Sequence, residues 1–216
     1  MENNRLQPNI TSKQNSSASK LNEKPQSVQK SILTYLHDLV YLLAGILLVL
    51  LLLFRVVIVS GPSMNDTLLD GDYLILLNNF FYSEPKQGDI IVASKDSFKD
   101  GEPIIKRVIA TEGQFVDIDF EAGIVFVGDS EDTMMPLSED YTKTLTTRDE
   151  GMEFPLQVDQ GCIFVMGDNR NSSKDSRNPE IGLIDTREVL GKAIFLILPG
   201  QNQTTRTREF DRIGAL

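Results

Sequence analysis

Residues 39–68 read LVYLLAGILLVLLLLFRVVIV followed by SGPSMNDTL. The first 21 residues, Leu39 to Val59, are apolar except for Arg55, and the next nine are small and polar around Ser63. At roughly 1.5 Å per residue, a helix of that length crosses the roughly 30 Å hydrocarbon core of a bilayer. Arg55 lies near the end of the run, where a long basic side chain snorkels to the interface. The run therefore reads as a transmembrane helix, assigned here to residues 32–59. A cleaved signal peptide and a buried core helix are the competing readings. The preceding tail is too long for a simple signal peptide, and no clear small-x-small cleavage site follows. No second apolar run of spanning length appears, so the chain is expected to cross once.

Working outward, residues 1–31 are rich in Asn, Ser, Gln and Lys and read as a disordered tail. Five basic side chains precede the apolar run, which favours a cytoplasmic tail and an extracytoplasmic body from Ser60 onward. Arg55, on the far side, is a weak counter-signal. Formal net charge is −10, and the body carries 15 basic against 28 acidic side chains. An acidic body argues against a nucleic-acid partner, because phosphate binding needs a basic face. One cysteine, Cys162, and one histidine, His37, exclude an intrachain disulfide and a structural zinc site. Cys162 lies in an apolar run and reads as a buried structural thiol. Neither a metal nor a cofactor is expected.

The body reads as mainly β. Segments 72–77, 89–93, 104–109, 115–120, 124–127, 162–166 and 192–198 are short, rich in β-branched residues and separated by turn residues. Such a series suggests packed or closed antiparallel sheets, a barrel-like body over 60–198. Residues 129–160 are polar and weakly patterned, an excursion or long loop. Residues 199–216 read as a polar tail that frays.

A serine nucleophile usually works with a histidine base. His37 precedes the apolar run and falls on the cytoplasmic side, so it cannot serve Ser63. A lysine base remains, and it works only if desolvation removes its proton near neutral pH. Lys86, Lys95, Lys99, Lys143 and Lys174 have polar neighbours, and Lys192 follows a glycine at a strand edge. Lys106 sits mid-strand in PIIKRVIA. Alternation puts Lys106 and Val108 on one face and Arg107 on the other. That pattern leaves burial and solvent exposure of Lys106 both open. Residues 167–177, GDNRNSSKDSR, are dense in turn formers. They read either as a solvated loop or as a hydrogen-bonded loop with carboxylate–guanidinium pairs.

Taken in order, the apolar run, GPSMNDTL (61–68), GDYL (71–74), GDIIV (88–92), KRVI (106–109), GDNRNSSKDSR (167–177) and GKA (191–193) resemble type I signal peptidase. The resemblance covers most of residues 39–198. Each motif is weak alone, and their order and spacing are specific. The family is a membrane-bound serine endopeptidase that removes N-terminal signal peptides from exported preproteins. The resemblance implies Ser63 as nucleophile, Lys106 as general base and an acyl-enzyme intermediate. It implies Ser173 as the hydroxyl that orients the lysine amine, with Asp175–Arg177 and Arg107–Asp168 as supporting ion pairs. The Ser63 N–H would donate to the oxyanion. Some family members place a serine two residues before the nucleophile to complete that hole. This chain has Gly61 there, so the second donor is unassigned. Asp66 replaces a usual proline, and Ala110, Glu112 and Gln114 replace a usual Gly, Pro and Asp.

The single anchor and short mid-body insertion resemble the Gram-positive form, and a monomer is expected. Expected partners are signal peptides and the lipid membrane. The substrate would be an extended peptide with small side chains at −1 and −3, added to a sheet edge. Met64, Leu68 and Ile105 are candidates for its pocket, with core packing as the equal alternative. Two other functions compete. A LexA-like self-cleaving Ser/Lys protein would need a DNA-binding segment and no anchor. A membrane-tethered domain that only binds would not need both Ser63 and Lys106.

Overall fold

The computed structural model describes residues 24–96, 98, 101–202 and 206–216, with residues 24–29 as backbone only. The chain divides into two compact units at Val49/Leu50. The expectation of a disordered tail falls mostly on residues 1–23, outside the described residues, and its end from Lys24 is helical.

Helix α1 spans Lys24–Leu53. Pro25 sits in its first turn, where a missing N–H removes no intrahelical bond. Lys30–Leu53 is, among the described residues, the one helix long and apolar enough to cross a membrane. The helix stops at Leu53, and the expected boundary at residue 59 is corrected. Phe54–Ile58 is a strand, β1, antiparallel to β2 at Tyr73–Asn78, from Phe54↔Leu77 to Ile58↔Tyr73. The physical reason is local. Val56, Val57 and Ile58 are β-branched and stiff at χ1, which favours a pleated strand, and β2 offers a ladder for them. An apolar run alone cannot separate a helix end from a strand start.

The body follows the expected strands closely. β3 is Ile90–Ala93, β4 Ile104–Thr111, β5 Phe115–Asp119, β6 Ile124–Gly128, β7 Met135–Pro136 and β8 Leu156–Gln157. β9 is Cys162–Met166, β10 Ile184–Asp185, β11 Val189–Leu198 and β12 Gly214–Ala215. All pairings are antiparallel. The larger sheet runs β1-β2-β11-β3-β4-β9-β10, with β12 on β11, and the smaller runs β7-β6-β5-β8. The mainly antiparallel β body after one apolar helix is therefore the fold class the sequence indicates. Most of 129–160 is irregular, and its two short strands extend the smaller sheet at both edges.

Among the described residues, three apolar clusters fill the body. The first joins Val59, Met64 and Leu68 to Leu74, Leu76, Ile90, Val92, Ala193 and Leu196. It fixes the loop after β1 against β2, β3 and β11. The second packs Ile91, Val108 and Val165 with Ile181 and Ile184, and the third joins Ile109 and Phe164 to the smaller sheet at Val116 and Val125.

The C-terminal segment does not fray where it is described. β12 pairs with β11, and the Arg212 guanidinium donates two hydrogen bonds to the buried Asp72 carboxylate, at 2.6 and 3.1 Å. Asp72 also accepts from the N–H groups of Leu69 and Gly200. The polar composition of the segment suggested fraying, and composition carries no information about such a partner.

Candidate active site

Ser63 sits on a loop closed at its base by backbone bonds, Val59 N–H to Asp72 O at 2.8 Å and Gly71 N–H to Val59 O at 2.9 Å. Gly61 takes a φ of +86°, a left-handed conformation that a β-carbon disfavours. Its N–H donates to Asp70 Oδ1 at 2.9 Å. Met64 and Leu68, one helical turn apart and joined by Leu68 N–H to Met64 O, plug the loop into the core. Ser63 therefore stands on a turn held from below by two buried apolar side chains.

Lys106 comes to it from β4, an interior strand of the larger sheet, opposite Ile91 on β3. Lys106 is 4% exposed, which decides the question alternation left open. Its Nζ donates to Ser63 Oγ at 2.9 Å and to the Ile105 carbonyl at 2.9 Å. The two groups lie 43 positions apart in sequence and within one hydrogen bond in space. Burial at this depth penalises an ammonium relative to a neutral amine.

Arg107, next along β4, points to the other face and is also buried. It forms a bidentate pair with Asp168, Nε to Oδ1 at 2.8 Å and Nη2 to Oδ2 at 2.6 Å. Nη1 donates to the Gly88 carbonyl. Asp168 also accepts from Thr67 Oγ1, four residues past Ser63. This pair thus ties the lysine strand, the serine loop and the 167–177 loop together. Asp175 and Arg177 form a second bidentate pair, both bonds at 2.8 Å, with neither side chain exposed. Asp175 Oδ2 accepts from Gly167 N–H, and Arg177 Nη2 donates to the Arg170 carbonyl. The loop is therefore a built structure and not a solvated turn.

Gly167 packs tightly between the Ser173 side chain and the Ser63 backbone. A β-carbon there would lie 2.2 Å from Ser173 Oγ and 2.4 Å from the Ser63 carbonyl oxygen. Ser173 is 2% exposed, and its hydroxyl makes no hydrogen bond among the described residues. The orienting bond expected from it to Lys106 is thus not formed in this arrangement.

Ser63 and Lys106 open onto a groove of about 660 Å³. Val57 to Met64 form one bank, and Pro103 to Lys106 form the other. β9 begins its pairing with β4 only at Arg107↔Met166, so the register gives Ile104 and Ile105 no β9 partner. Of the three pocket candidates, Met64 and Ile105 line the groove. Leu68 is wholly buried in the first apolar cluster and belongs to the core instead.

Several contributors carried no individual signal in the sequence. Asn169 binds the serine loop twice, N–H to the Ser63 carbonyl and Nδ2 to the Pro62 carbonyl, both at 3.0 Å. Arg170, fully buried, donates to Gly167 O, Thr146 Oγ1 and Glu139. Burial alone would lower its pKa, and the Glu139 carboxylate holds it above the ordinary value. Tyr141 lies 4.0 Å from the Arg107 guanidinium, ring centroid to carbon. Burial, then the Glu139 charge, raises its phenol above the ordinary range. Asn169 and Arg170 lie inside a motif already singled out. Tyr141 lies in the weakly patterned excursion, where no periodicity marks a contact.

A serine hydroxyl bonded to a buried lysine, above an apolar groove, is an arrangement suited to acyl transfer. The chain belongs to the signal peptidase family, peptidase S26, whose family model matches residues 32–198. It is 31% identical over 180 residues to Signal peptidase I of Bacillus licheniformis, covering 82% of this chain and 94% of that protein. It is 30% identical over 178 residues to Signal peptidase I T of Bacillus subtilis strain 168, covering 81% and 91%. A crystal structure of a signal peptidase I from Enterococcus faecalis V583 superposes with a TM-score of 0.40 at 28% identity, over 50% of this chain and 96% of that one. The motif resemblance to type I signal peptidase is thus met, and the chain is an enzyme of that family.

Proposed function

We propose that the chain is anchored by α1 and removes N-terminal signal peptides from exported preproteins through a Ser63/Lys106 dyad. The observation that carries this reading is the 2.9 Å contact between Lys106 Nζ and Ser63 Oγ on a buried strand. Lys106 in its neutral form takes the Ser63 proton as Oγ attacks the scissile carbonyl. The developing oxyanion accepts from the Ser63 N–H. The leaving amine takes the proton from Lys106, and the acyl-enzyme forms. Lys106 then draws a proton from water, which attacks the ester and frees Ser63. Ser173, buried against Gly167, orients the amine after a rotation of its side chain about χ1 carries the hydroxyl to Lys106. The Arg107–Asp168 and Asp175–Arg177 pairs hold strand and loop in register without touching substrate.

The substrate enters as an extended strand between the banks at 57–60 and 104–106, where β4 lacks its β9 neighbour. Small side chains at −1 and −3 fit against Met64 and Ile105. The tail before α1 faces the cytoplasm, the body lies outside, and the enzyme acts as a monomer. Detergent-solubilised protein incubated with a preprotein tests the dyad. Wild type is expected to cleave it, and Ser63→Ala and Lys106→Met to lose cleavage by at least about a thousandfold. Equal cleavage by the variants would remove the dyad. No cleavage by wild type would favour a binding-only domain.

A further inference from the structure

Gly61 stands two residues before Ser63, where a serine hydroxyl would complete the oxyanion hole. Its backbone lies in the left-handed region, at φ +86°. A β-carbon built there would meet no atom within 4 Å. Space therefore does not call for glycine at this position, and the backbone conformation does. The backbone bonds of the loop do not hold that conformation. Two of them, Val59 N–H to Asp72 O and Gly71 N–H to Val59 O, close the base before the glycine, and the next, Asn65 N–H to Pro62 O, lies beyond it. The Gly61 N–H goes instead to a side chain, Asp70 Oδ1 at 2.9 Å. The Asp70 carboxylate makes no other hydrogen bond or ion pair among the described residues. The Ser63 N–H has no acceptor among the described residues, which leaves it available to an oxyanion.

We propose that Asp70 is a positioning residue for acyl transfer: its carboxylate holds Gly61 in the left-handed turn that presents the Ser63 N–H to the oxyanion. The proposal rests on the reading of Ser63 as the nucleophile. Asp70 acts from behind. Gly61 and Ser63 line the substrate groove, whereas Asp70 lines a separate cleft with Gly71, Tyr73 and Arg208. It therefore reaches the reaction only through Gly61 and touches no substrate. A carboxylate bonded to a backbone N–H forms a charge-assisted bond, stronger than a neutral one. The same bond occupies the Gly61 N–H, so that group is not the second oxyanion donor. A serine at position 61 would have to take a conformation that a β-carbon disfavours, so this turn and a serine hydroxyl there exclude each other. A displaced Ser63 N–H weakens the transition state more than the bound substrate, so Asp70 should register in kcat.

Asp70→Ala, Asp70→Asn, Gly61→Ala and the double variant Asp70→Ala/Gly61→Ala are made in the full chain and assayed in detergent, below their melting temperatures. Each is measured on a cleavable peptide and with a peptide boronic acid, whose tetrahedral adduct on Ser63 places an oxygen where the oxyanion forms. Asp70→Ala is expected to lower kcat and weaken the boronic acid by roughly tenfold each, with KM changed by less than about twofold. Asp70→Asn keeps an acceptor and should stay within about threefold of wild type. Gly61→Ala should cost roughly tenfold alone but almost nothing on top of Asp70→Ala, because the strained conformation is by then released. A wild-type kcat for Asp70→Ala overturns the inference. So does a raised KM with kcat unchanged, which would make Asp70 a support of the groove wall. Additive losses in the double variant also contradict it, since another group would then hold the glycine. If Ser63→Ala cleaves as well as wild type, the dyad reading fails and this inference falls with it. If Ser63→Ala is inactive and Asp70→Ala is unaffected, the dyad stands and only the role of Asp70 is removed.

Discussion

Lys106 and Arg107 are adjacent cations on one strand, both buried, and the protein treats them differently. Arg107 meets a carboxylate in a two-pronged pair, while the acceptors of Lys106 include a serine hydroxyl and a backbone carbonyl. A guanidinium stays charged in a folded protein, so burying it calls for a partner of opposite charge. An amine can shed its proton, and burial favours that outcome. The pattern of alternation separated the two side chains correctly but left the environment of each undecided. Asp168 is the partner whose loss is most informative. Asp168→Ala leaves the Arg107 guanidinium without its carboxylate and should cost about 3–5 kcal/mol of stability. Asp168→Asn keeps an acceptor and should cost less. Urea unfolding midpoints with a shared slope provide the comparison.

At the scale of elements, the sequence revealed strands better than the ends of strands and loops. Each strand from β2 to β6 stands within two residues of its expected position, because β-branched runs bounded by glycine leave few alternatives. The helix boundary was misplaced, since Val56–Val59 is equally apolar in either form and only its ladder with β2 decides. The 129–160 segment was legible as irregular, but not as the source of the Tyr141 and Glu139 contacts to Arg107 and Arg170. Long-range polar contacts leave no periodic trace. One such contact is Asp89, at the entrance to β3, with Lys192 of β11 and the Tyr82 hydroxyl. Burial raises the Asp89 carboxyl, but Lys192, Tyr82 and the Lys86 N–H outweigh it and hold it below its ordinary 3.8. A lowered folded pKa means that its stabilisation is present above the unfolded value and lost as pH falls through the folded one. Lys192→Met should therefore lower the melting temperature at pH 7 by more than at pH 3. A gap that is constant across that range contradicts the pairing.

For the whole molecule, the order of motifs along the chain indicated both family and fold before any contact was known. That order works because the fold brings Ser63 to Lys106 and Asp168 to the neighbouring Arg107 from three separate elements. The docked Arg212 was hidden from sequence, and the residues of the 167–177 loop left two readings open until the resemblance implied its ion pairs, since both features depend on buried charge pairing among polar residues. The anchor gives a prediction at this scale. Protease added outside intact cells or spheroplasts should degrade the body and leave the N-terminal tail protected, as the positive-inside bias requires. Protection of the body instead would reverse the assigned orientation.

The central claim is that a buried, neutral Lys106 activates Ser63. The measurement that tests it most directly is the pH dependence of kcat/KM for wild type on a peptide without titrating groups near the scissile bond. The account predicts a rate that rises with pH through a midpoint well below the roughly 10.4 of a free lysine. A profile flat from pH 6 to 10, or one with its midpoint at the free-lysine value, would contradict it.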